Sequence, residues 1–225
     1  MLRPVLLELA PNEAGERVRQ EILAWDGHMD AESQAAAAFA AWRTALTRRL
    51  VSEPVFGPLA DAYVHGPVFA PYLDLTASVG LALETLVPSA APFGIDVRRL
   101  ATLALEDAAA HPASWGDVHV LGPTHGFDVA DADLVPPDIP VTPVAGDIDS
   151  VRCTGWLPAL TDECYRGSVA RYVWDLGDRS RSAWVVPLGA AGDPRSPHHH
   201  DQLEAWAEAR LLPVVTDWDE LAEDA

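Results

Sequence analysis

The stretch VARYVWDL, residues 169–176, decides the fold class, because its side chains alternate with the two-residue period of a β-strand. The alternation separates the residues into two sets on opposite faces: Ala170, Tyr172, Trp174 and Leu176 on one, and Val169, Arg171, Val173 and Asp175 on the other. The turn signal GDRS at residues 177–180 is followed by the apolar run AWVVPL at residues 183–188. The sequence therefore predicts a half-buried strand over 169–176 that pairs with an antiparallel strand over 183–188.

The first half of the chain has a different periodicity, with apolar residues three and four positions apart. Val18, Ile22 and Trp25 share one face of a predicted helix, and Asp30 is the expected N-cap of the helix that follows. The same spacing continues through the first half and returns near the carboxyl end. It predicts helices over residues 13–25, 31–50, 72–87, 96–110 and 201–210, with a proline- and glycine-rich connector over 52–71.

Helices in the N-terminal half and antiparallel strands in the C-terminal half indicate an α+β fold. A chain of 225 residues is long enough to bury one sizeable core. We expect a single segment over residues 1–225, mostly helical over 13–110 and mostly strand and loop over 115–190. A closing helix is expected over 200–210.

Charge excludes several classes of function. The net charge is -19, and all 15 basic residues are arginines, so the chain has no lysine for a Walker phosphate site, a Schiff base or a serine–lysine dyad. Without a basic stripe, we expect no nucleic-acid partner. No apolar run reaches the length of a membrane span, and the first residues do not form a secretory signal, so we expect no membrane association.

The segment GAAGDPRSPHHHDQ, residues 189–202, is the most conspicuous candidate site. His198, His200 and Asp201 at the start of a helix could converge on a metal ion, although adjacent histidine side chains usually diverge. The alternative is a glycine-rich turn and a Ser-Pro helix entry in which the histidines satisfy nearby backbone groups. Asp147 and Asp149 lack the spacing of a calcium-binding loop, so we interpret them as part of a solvated acidic loop.

The two cysteines, Cys153 and Cys164, could form a disulfide in an oxidising compartment or stay reduced, and the residues leave both open. No histidine is aligned with either one in the pattern of a cysteine protease. The residues by themselves therefore provide no complete catalytic set.

Five segments, in chain order, resemble the C-terminal part of the β chain of the penicillin acylase family, which are N-terminal-nucleophile amidohydrolases. They are LAWDG at 23–27, WGDVH at 115–119 (a strand in that family), GD at 146–147 with SV at 150–151, GSVARYV at 167–173, and GAAGDPRSPHHHDQLEAW at 189–206. Ala190, Ala191 and His199 depart from the usual Gln, Ser and Tyr. The motif residues, for which the resemblance implies structural roles, are Trp25, Asp26, Gly27, Trp115, Gly116, His119, Gly189, Gly192, Ser196, Pro197, His198, Asp201, Gln202 and Trp206.

The resemblance implies a partial αββα sandwich and an enzyme that cleaves acyl amide bonds of penicillins, acyl-homoserine lactones or lipopeptides. In such enzymes an N-terminal serine attacks, its α-amine acts as base, and an asparagine helps to form the oxyanion hole. Here the first Ser, Thr or Cys is Ser33, followed by Gln34, and Asn12 is the sole asparagine. No catalytic residue is therefore assigned, and the nucleophile, the oxyanion donor and the family's calcium site are expected outside this chain.

The implied partners are an α chain, the N-terminal part of the β chain and an acyl-amide small molecule, and no cofactor is expected. His198 is the one motif residue for which contact with substrate is an alternative to a structural role. Family members are usually periplasmic or secreted, and the localisation of this chain stays open. Two further interpretations remain: an inactive truncated remnant or interaction module, and a metal-binding domain that uses His198, His200 and Asp201. We expect the isolated chain to lack amidase activity and to expose apolar sheet surface.

Overall fold

The computed structural model describes residues 2–61, 73–122, 139–148 and 150–215, and for Pro58 and Ala60 the backbone alone. The chain divides into two compact units. Unit 1 comprises Met1–His119 and Trp156–Glu163, and unit 2 comprises Val120–Gly155 and Cys164–Ala225. Asp149 and the start of the helix predicted over 72–87 lie outside the described residues, as does the second half of the 52–71 connector.

Unit 1 is helical, as the three-and-four spacing predicted. Its α-helices are α1 (Arg3–Leu7), α2 (Glu13–Ala24), α3 (Gln34–Val51), α4 (Leu75–Leu81), α5 (Leu83–Ser89) and α6 (Val97–Asp107). Short 3₁₀ turns lie at Pro54–Ala60, Ala91–Phe93, Ala108–Ala110 and Trp115–Asp117. The helix predicted over 72–87 is two helices, because Ala82 at φ -98° and ψ 8° interrupts the helical backbone between α4 and α5.

Side-chain caps set where several of these helices begin. Asn12 Oδ1 accepts from the Gly15 amide at 2.9 Å to start α2, and Asp96 Oδ1 accepts from the Arg99 amide at 3.0 Å to start α6. The predicted cap of α3 is wrong: Ser33, not Asp30, caps this helix, through a 3.1 Å bond from the Ala36 amide. Helix α3 therefore begins at Gln34 rather than at residue 31.

The core of unit 1 lies between α2, α3 and α6. Trp42 on α3 is fully buried and donates from its indole nitrogen to the Ala101 carbonyl at 3.1 Å, which satisfies its one polar atom. Fully buried Leu46 and Leu105 belong to the same cluster. A second cluster holds Trp115, Trp156, Met29, Ala36 and Ala40.

In its described residues, unit 2 contains small antiparallel sheets, one α-helix and a 3₁₀ turn at Arg179–Arg181. Strands β1 (Val120–Leu121) and β2 (Thr142–Pro143) pair with each other. Strands β5 (Arg171–Val173), β6 (Ala183–Val185) and β7 (Leu212–Pro213) form a three-stranded sheet in that order, with Tyr172 opposite Trp184. The hairpin of β3 (Gly155–Leu157) and β4 (Thr161–Arg166) is shared between the two units, and helix α7 spans Leu203–Ala207.

The antiparallel pair predicted around Trp174 and Trp184 is confirmed in shorter form. Its burial differs from the prediction, because exposed side chains occur in both alternating sets: Val169, Tyr172, Val173, Trp174 and Leu176 are all exposed. The buried side chain is instead Val185 on β6, which packs with Val144, Cys164, Ala205 and Trp206. Alternation separates the two faces of a strand, but it does not determine which face is covered.

Mixed helices and small antiparallel sheets agree with the predicted α+β class. Among the described residues, no helix has both the length and the apolar character needed to cross a membrane.

Candidate functional site

The motif residues fall in three places. Trp25, Asp26 and Gly27 follow α2, and the block over 115–119 follows α6, both in unit 1. The segment over 189–206 lies in unit 2 between β6 and the end of α7.

The turn after α2 is held by the side chains on either side of Gly27. Asp26 Oδ1 accepts from the His28 amide at 2.9 Å, and its Oδ2 lies 3.1 Å from His28 Nδ1. These contacts lower the pKa of Asp26 and raise the pKa of His28. Gly27 has φ +91°, a left-handed backbone that favours glycine, and the Trp25 indole donates to the His28 carbonyl at 2.9 Å. The turn is an exposed structure that local hydrogen bonds hold in shape.

The WGDVH block is a 3₁₀ turn, Trp115–Asp117, rather than the predicted strand. The amides of Trp115 and Gly116 donate to the carbonyls of Ser33 and Ala31, at 3.1 and 2.6 Å, which ties the block to the start of α3. His119 is fully buried and stacks on Trp115, with ring centroids 4.4 Å apart. Because a carbonyl can only accept, the 2.7 Å contact from His119 Nδ1 to the Asp162 carbonyl places a proton on Nδ1.

A cavity of about 580 Å³ in unit 1 is lined by charged side chains at the ends of α3 and α6. Arg49 binds Asp107 through two nitrogens, at 2.5 and 2.8 Å, and this contact raises the pKa of Arg49. Arg99 lies 3.2 Å from Glu53. Asp107 is 58 residues from Arg49, so no local sequence signal predicted the pair. Opposite charges balance one another in this cavity.

Arg48 and Asp162 also line the cavity. Burial raises the pKa of the Asp162 carboxyl, and the positive charge of Arg48 partly offsets this effect. Ser52 Oγ, on the same wall, donates to the Arg48 carbonyl at 2.8 Å, which closes the last turn of α3. Because this hydroxyl donates its proton to a backbone carbonyl rather than to a base, it does not have the geometry of an activated nucleophile.

In unit 2 the segment over 189–202 folds back on its own glycine. Ala191 donates from its amide to the His198 carbonyl at 3.1 Å. A Cβ placed on Gly189 would lie 2.1 Å from that carbonyl oxygen and 2.8 Å from Asp201 Oδ1. Gln202 accepts from the Val186 amide at 3.1 Å. Glycine at 189 is therefore required by close packing of the backbone.

The histidines diverge rather than converge. His198 Nδ1 lies 2.9 Å from Asp201 Oδ2 with its side chain half exposed, whereas His199 is buried and meets His200 edge-on at 5.8 Å. Across the described parts of the chain, no group of three or more His, Cys, Asp or Glu side chains is placed to hold a metal ion. The interpretation of His198, His200 and Asp201 as a metal site is therefore wrong.

The other polar residues of this segment form local bonds. Ser196 Oγ accepts from the His198 amide at 3.2 Å, beside Pro197. Asp193, after Gly192, is bound by the Arg195 side chain and amide, which lowers the pKa of Asp193 to about 2. This is an exposed structural turn.

Trp206 anchors the end of the segment in the core of unit 2. Its indole nitrogen donates to the Ser168 carbonyl at 3.0 Å, and its ring leaves no room for a side chain at Gly167. Cys153 and Cys164 are both free thiols. Burial raises the pKa of Cys164 to about 11, which keeps this thiol protonated and unreactive near neutral pH.

Neither Ser33 nor Asn12 is available for the chemistry of an N-terminal nucleophile. The Ser33 hydroxyl caps α3, and the Asn12 side chain caps α2. In the described residues the motif positions thus have contacts that build turns and cores, and they do not assemble a nucleophile with a base.

The sequence profile of the penicillin amidase family matches residues 1–223. A curated relative, the penicillin acylase 2 proenzyme of Pseudomonas sp. (strain SE83), is 34% identical over an alignment of 223 residues that covers 93% of this chain. The chain spans 28% of the length of that relative.

Proposed function

The chain belongs to the penicillin amidase family, and we propose that it forms one segment of an acylase that hydrolyses acyl amide bonds. The observation that carries this proposal is the match over residues 1–223. The substrate class proposed is an amide between an acyl group and an amine, as in penicillins, acyl-homoserine lactones and lipopeptides.

The catalytic groups are proposed to come from polypeptide outside these 225 residues. Two contacts support this: Ser33 and Asn12 are occupied as helix caps. This chain matches 28% of the length of the relative, and such groups can lie in the remaining 72%. In the family's architecture this remainder corresponds to an α chain and the N-terminal part of a β chain. The family's calcium ligands are likewise proposed to lie outside these 225 residues.

In the assembled enzyme, the hydroxyl of an N-terminal serine attacks the amide carbonyl carbon. The carbon–nitrogen bond breaks, the amine leaves with the proton that the serine gave up, and an ester to the serine remains. Water then cleaves this ester to release the acid. The role of this segment is to supply folded structure: β5 and β6 are proposed to belong to a sheet of an αββα sandwich, and the motif residues to hold its turns. His198 is proposed to position the turn at Gly189 through Asp201 rather than to contact substrate.

A chimera tests the proposal: these 225 residues replace the matching segment of the Pseudomonas penicillin acylase 2. Hydrolysis of phenylacetyl-p-nitroanilide is the measurement, with the unmodified relative as the positive control and the isolated chain as the negative control. We expect the chimera to hydrolyse the substrate and the isolated chain to be inactive. A chimera that folds with a cooperative thermal transition but has no activity would contradict the proposed function. Turnover by the isolated chain would contradict the external origin of the catalytic groups.

A further inference from the structure

The cavity of about 580 Å³ in unit 1 is lined, in the described chain, by three arginines and three carboxylates. Four of these six groups form pairs. Arg49 binds Asp107 at 2.5 and 2.8 Å, and Arg99 lies 3.2 Å from Glu53. The pairs leave one guanidinium and one carboxyl in the wall of the cavity that neither of them uses.

The unused carboxyl is that of Asp162. This side chain is partly buried, and burial raises the pKa of its carboxyl. In the part of the chain that the structure describes, no amide or side chain donates a hydrogen bond to this carboxyl. Because a partly desolvated carboxylate without a donor costs free energy, the position favours a ligand that brings its own donor.

The unused guanidinium is that of Arg48, in the last turn of α3. Its side-chain hydrogen bond within the described residues goes to the Ala159 carbonyl at 3.4 Å, which leaves most of its five N–H donors available. The positive charge of Arg48 lowers the pKa of the Asp162 carboxyl, yet the two side chains do not form an ion pair. A molecule with both charges can therefore contact each of them.

The rest of the wall limits which molecule fits. Both ring nitrogens of His111 are engaged, since Nδ1 lies 2.8 Å from the Pro112 carbonyl and Nε2 lies 3.3 Å from the Glu21 carboxylate. The wall also contains apolar side chains that can contact an aliphatic group: Ala41, Ala45 and Leu100. The volume of about 580 Å³ falls in the range of small-molecule sites.

We propose that this cavity binds a small zwitterion of the size of a free amino acid, whose ammonium donates to Asp162 and whose carboxylate accepts from Arg48. An aliphatic side chain of the ligand contacts Leu100 and the neighbouring alanines. Partial exclusion of water strengthens both charge-assisted contacts. This inference goes beyond the proposed function and does not depend on it, because all of these residues lie in unit 1 of this chain.

Isothermal titration calorimetry of the 225-residue chain at pH 7 tests the site. The ligands are L-leucine, 3-methylbutylamine, which lacks the carboxylate, and 4-methylpentanoate, which lacks the ammonium. We expect saturable binding of leucine and at least about tenfold weaker binding of either analogue, because each analogue has lost one charge-assisted contact. A folded chain that does not bind leucine overturns the proposal. Tighter binding of inorganic phosphate than of leucine also overturns it, because the cavity is then an anion site.

Two substitutions assign the two charges of the ligand. Asp162→Asn should weaken the binding of leucine and 3-methylbutylamine by at least about tenfold and leave that of 4-methylpentanoate unchanged. Arg48→Gln should weaken leucine and 4-methylpentanoate instead. Asp193→Asn and Arg179→Gln, at exposed positions in unit 2, are the charge-matched controls and should bind as the wild type does. Leucine binding that neither cavity substitution changes, or that all four change equally, overturns the site.

Folding is controlled separately. Asp162→Asn removes a charge that burial disfavours, so a loss of binding in this variant does not come from unfolding. If the isolated chain has no cooperative thermal transition, the same titrations are made on the chimera. An active chimera that does not bind leucine through Asp162 overturns the site and supports the proposed function. A folded, inactive chimera with Asp162-dependent leucine binding does the reverse.

Discussion

The guanidinium of Arg171 lies over the indole ring of Trp206, with its Cζ 4.3 Å from the ring centroid, and it also donates to the Trp206 carbonyl oxygen. Its other terminal nitrogen donates to the Arg152 carbonyl at 2.9 Å. The Trp206 carbonyl belongs to the last turn of α7, so a positive charge meets the negative end of the helix dipole. Burial lowers the pKa of Arg171. One arginine thereby joins the first residue of β5 to the closing helix of unit 2.

Replacing this guanidinium should weaken unit 2. We expect Arg171→Lys to lower the free energy of unfolding by about 2 kcal/mol, because an ammonium cannot stack on the ring and bond two carbonyls in the same geometry. Urea unfolding followed by circular dichroism measures the change. Arg179→Lys, at an exposed position, is the matched control and should stay within about 0.5 kcal/mol of the wild type. Equal effects of the two substitutions would refute the role of the contact.

Gly167 should be intolerant of any side chain. A Cβ at this position would lie 2.6 and 2.7 Å from two ring carbons of Trp206, so Gly167→Ala should cost about 2 kcal/mol of stability through overpacking. Gly122→Ala is the control, because a Cβ there meets nothing within 4 Å. In a double-mutant cycle with Trp206→Phe, the combined cost should be less than the sum of the single costs. Additive costs would show that the clash is not with this ring.

The buried thiol of Cys164 should make stability fall at high pH. Its pKa is raised to about 11 by burial, so the folded chain keeps the proton that the unfolded chain loses from about pH 9 upward. The stability that this thiol contributes is therefore lost as the pH rises from about 9 to 11. Between pH 8 and pH 11, the wild type should lose about 2 kcal/mol more than Cys164→Ala in urea unfolding.

Cys153→Ala is the matched control for this pH dependence, because it removes the other thiol. Its free energy of unfolding should fall with pH as steeply as that of the wild type. The same slope in the wild type and in Cys164→Ala would exclude the buried thiol as its source.

The ionised Asp162 carboxyl should lower the stability of the folded chain at neutral pH. Burial raises the pKa of its carboxyl, so folding disfavours the ionised form that is present at pH 7. We expect Asp162→Asn to raise the thermal midpoint at pH 7 and to have no effect near pH 3, where the carboxyl is protonated in both states. The control Asp193→Asn removes a carboxyl whose pKa is lowered by Arg195, so it should not stabilise at pH 7. A lower thermal midpoint for Asp162→Asn than for the wild type at pH 7 would refute the claim that the ionised carboxyl destabilises the fold.

Local signals explain the part of the fold that the sequence could predict. The spacing of Val18 and Ile22 acts within one or two helical turns, so it can be read from neighbouring residues. Asp30 and Ser33 are both good capping residues, and the pattern could not separate them, since the choice depends on which side chain reaches the amide of residue 36.

Non-local contacts account for what the sequence did not predict. His119 finds its acceptor at Asp162, 43 residues away, and no periodicity marks that pairing. The alternation of residues 169–176 assigns Tyr172 and Trp174 to one face, but what covers that face lies beyond the strand itself. The side chains of His198 and His200 diverge in part because they belong to one run of consecutive histidines. Asp201 lies three residues after His198, and this spacing was the one local sign of the contact between those two side chains.

The eight residues Trp156–Glu163 belong to unit 1, although the chain on both sides of them belongs to unit 2. A gene cut after the codon of His119 would therefore not yield an intact unit 1. It would omit Trp156, whose ring stands edge-on to Trp115 at 5.1 Å and lies beneath the guanidinium of Arg43 at 5.4 Å. Neither unit is encoded by one contiguous stretch of the gene, so neither can be inherited, exchanged or expressed as a single continuous fragment.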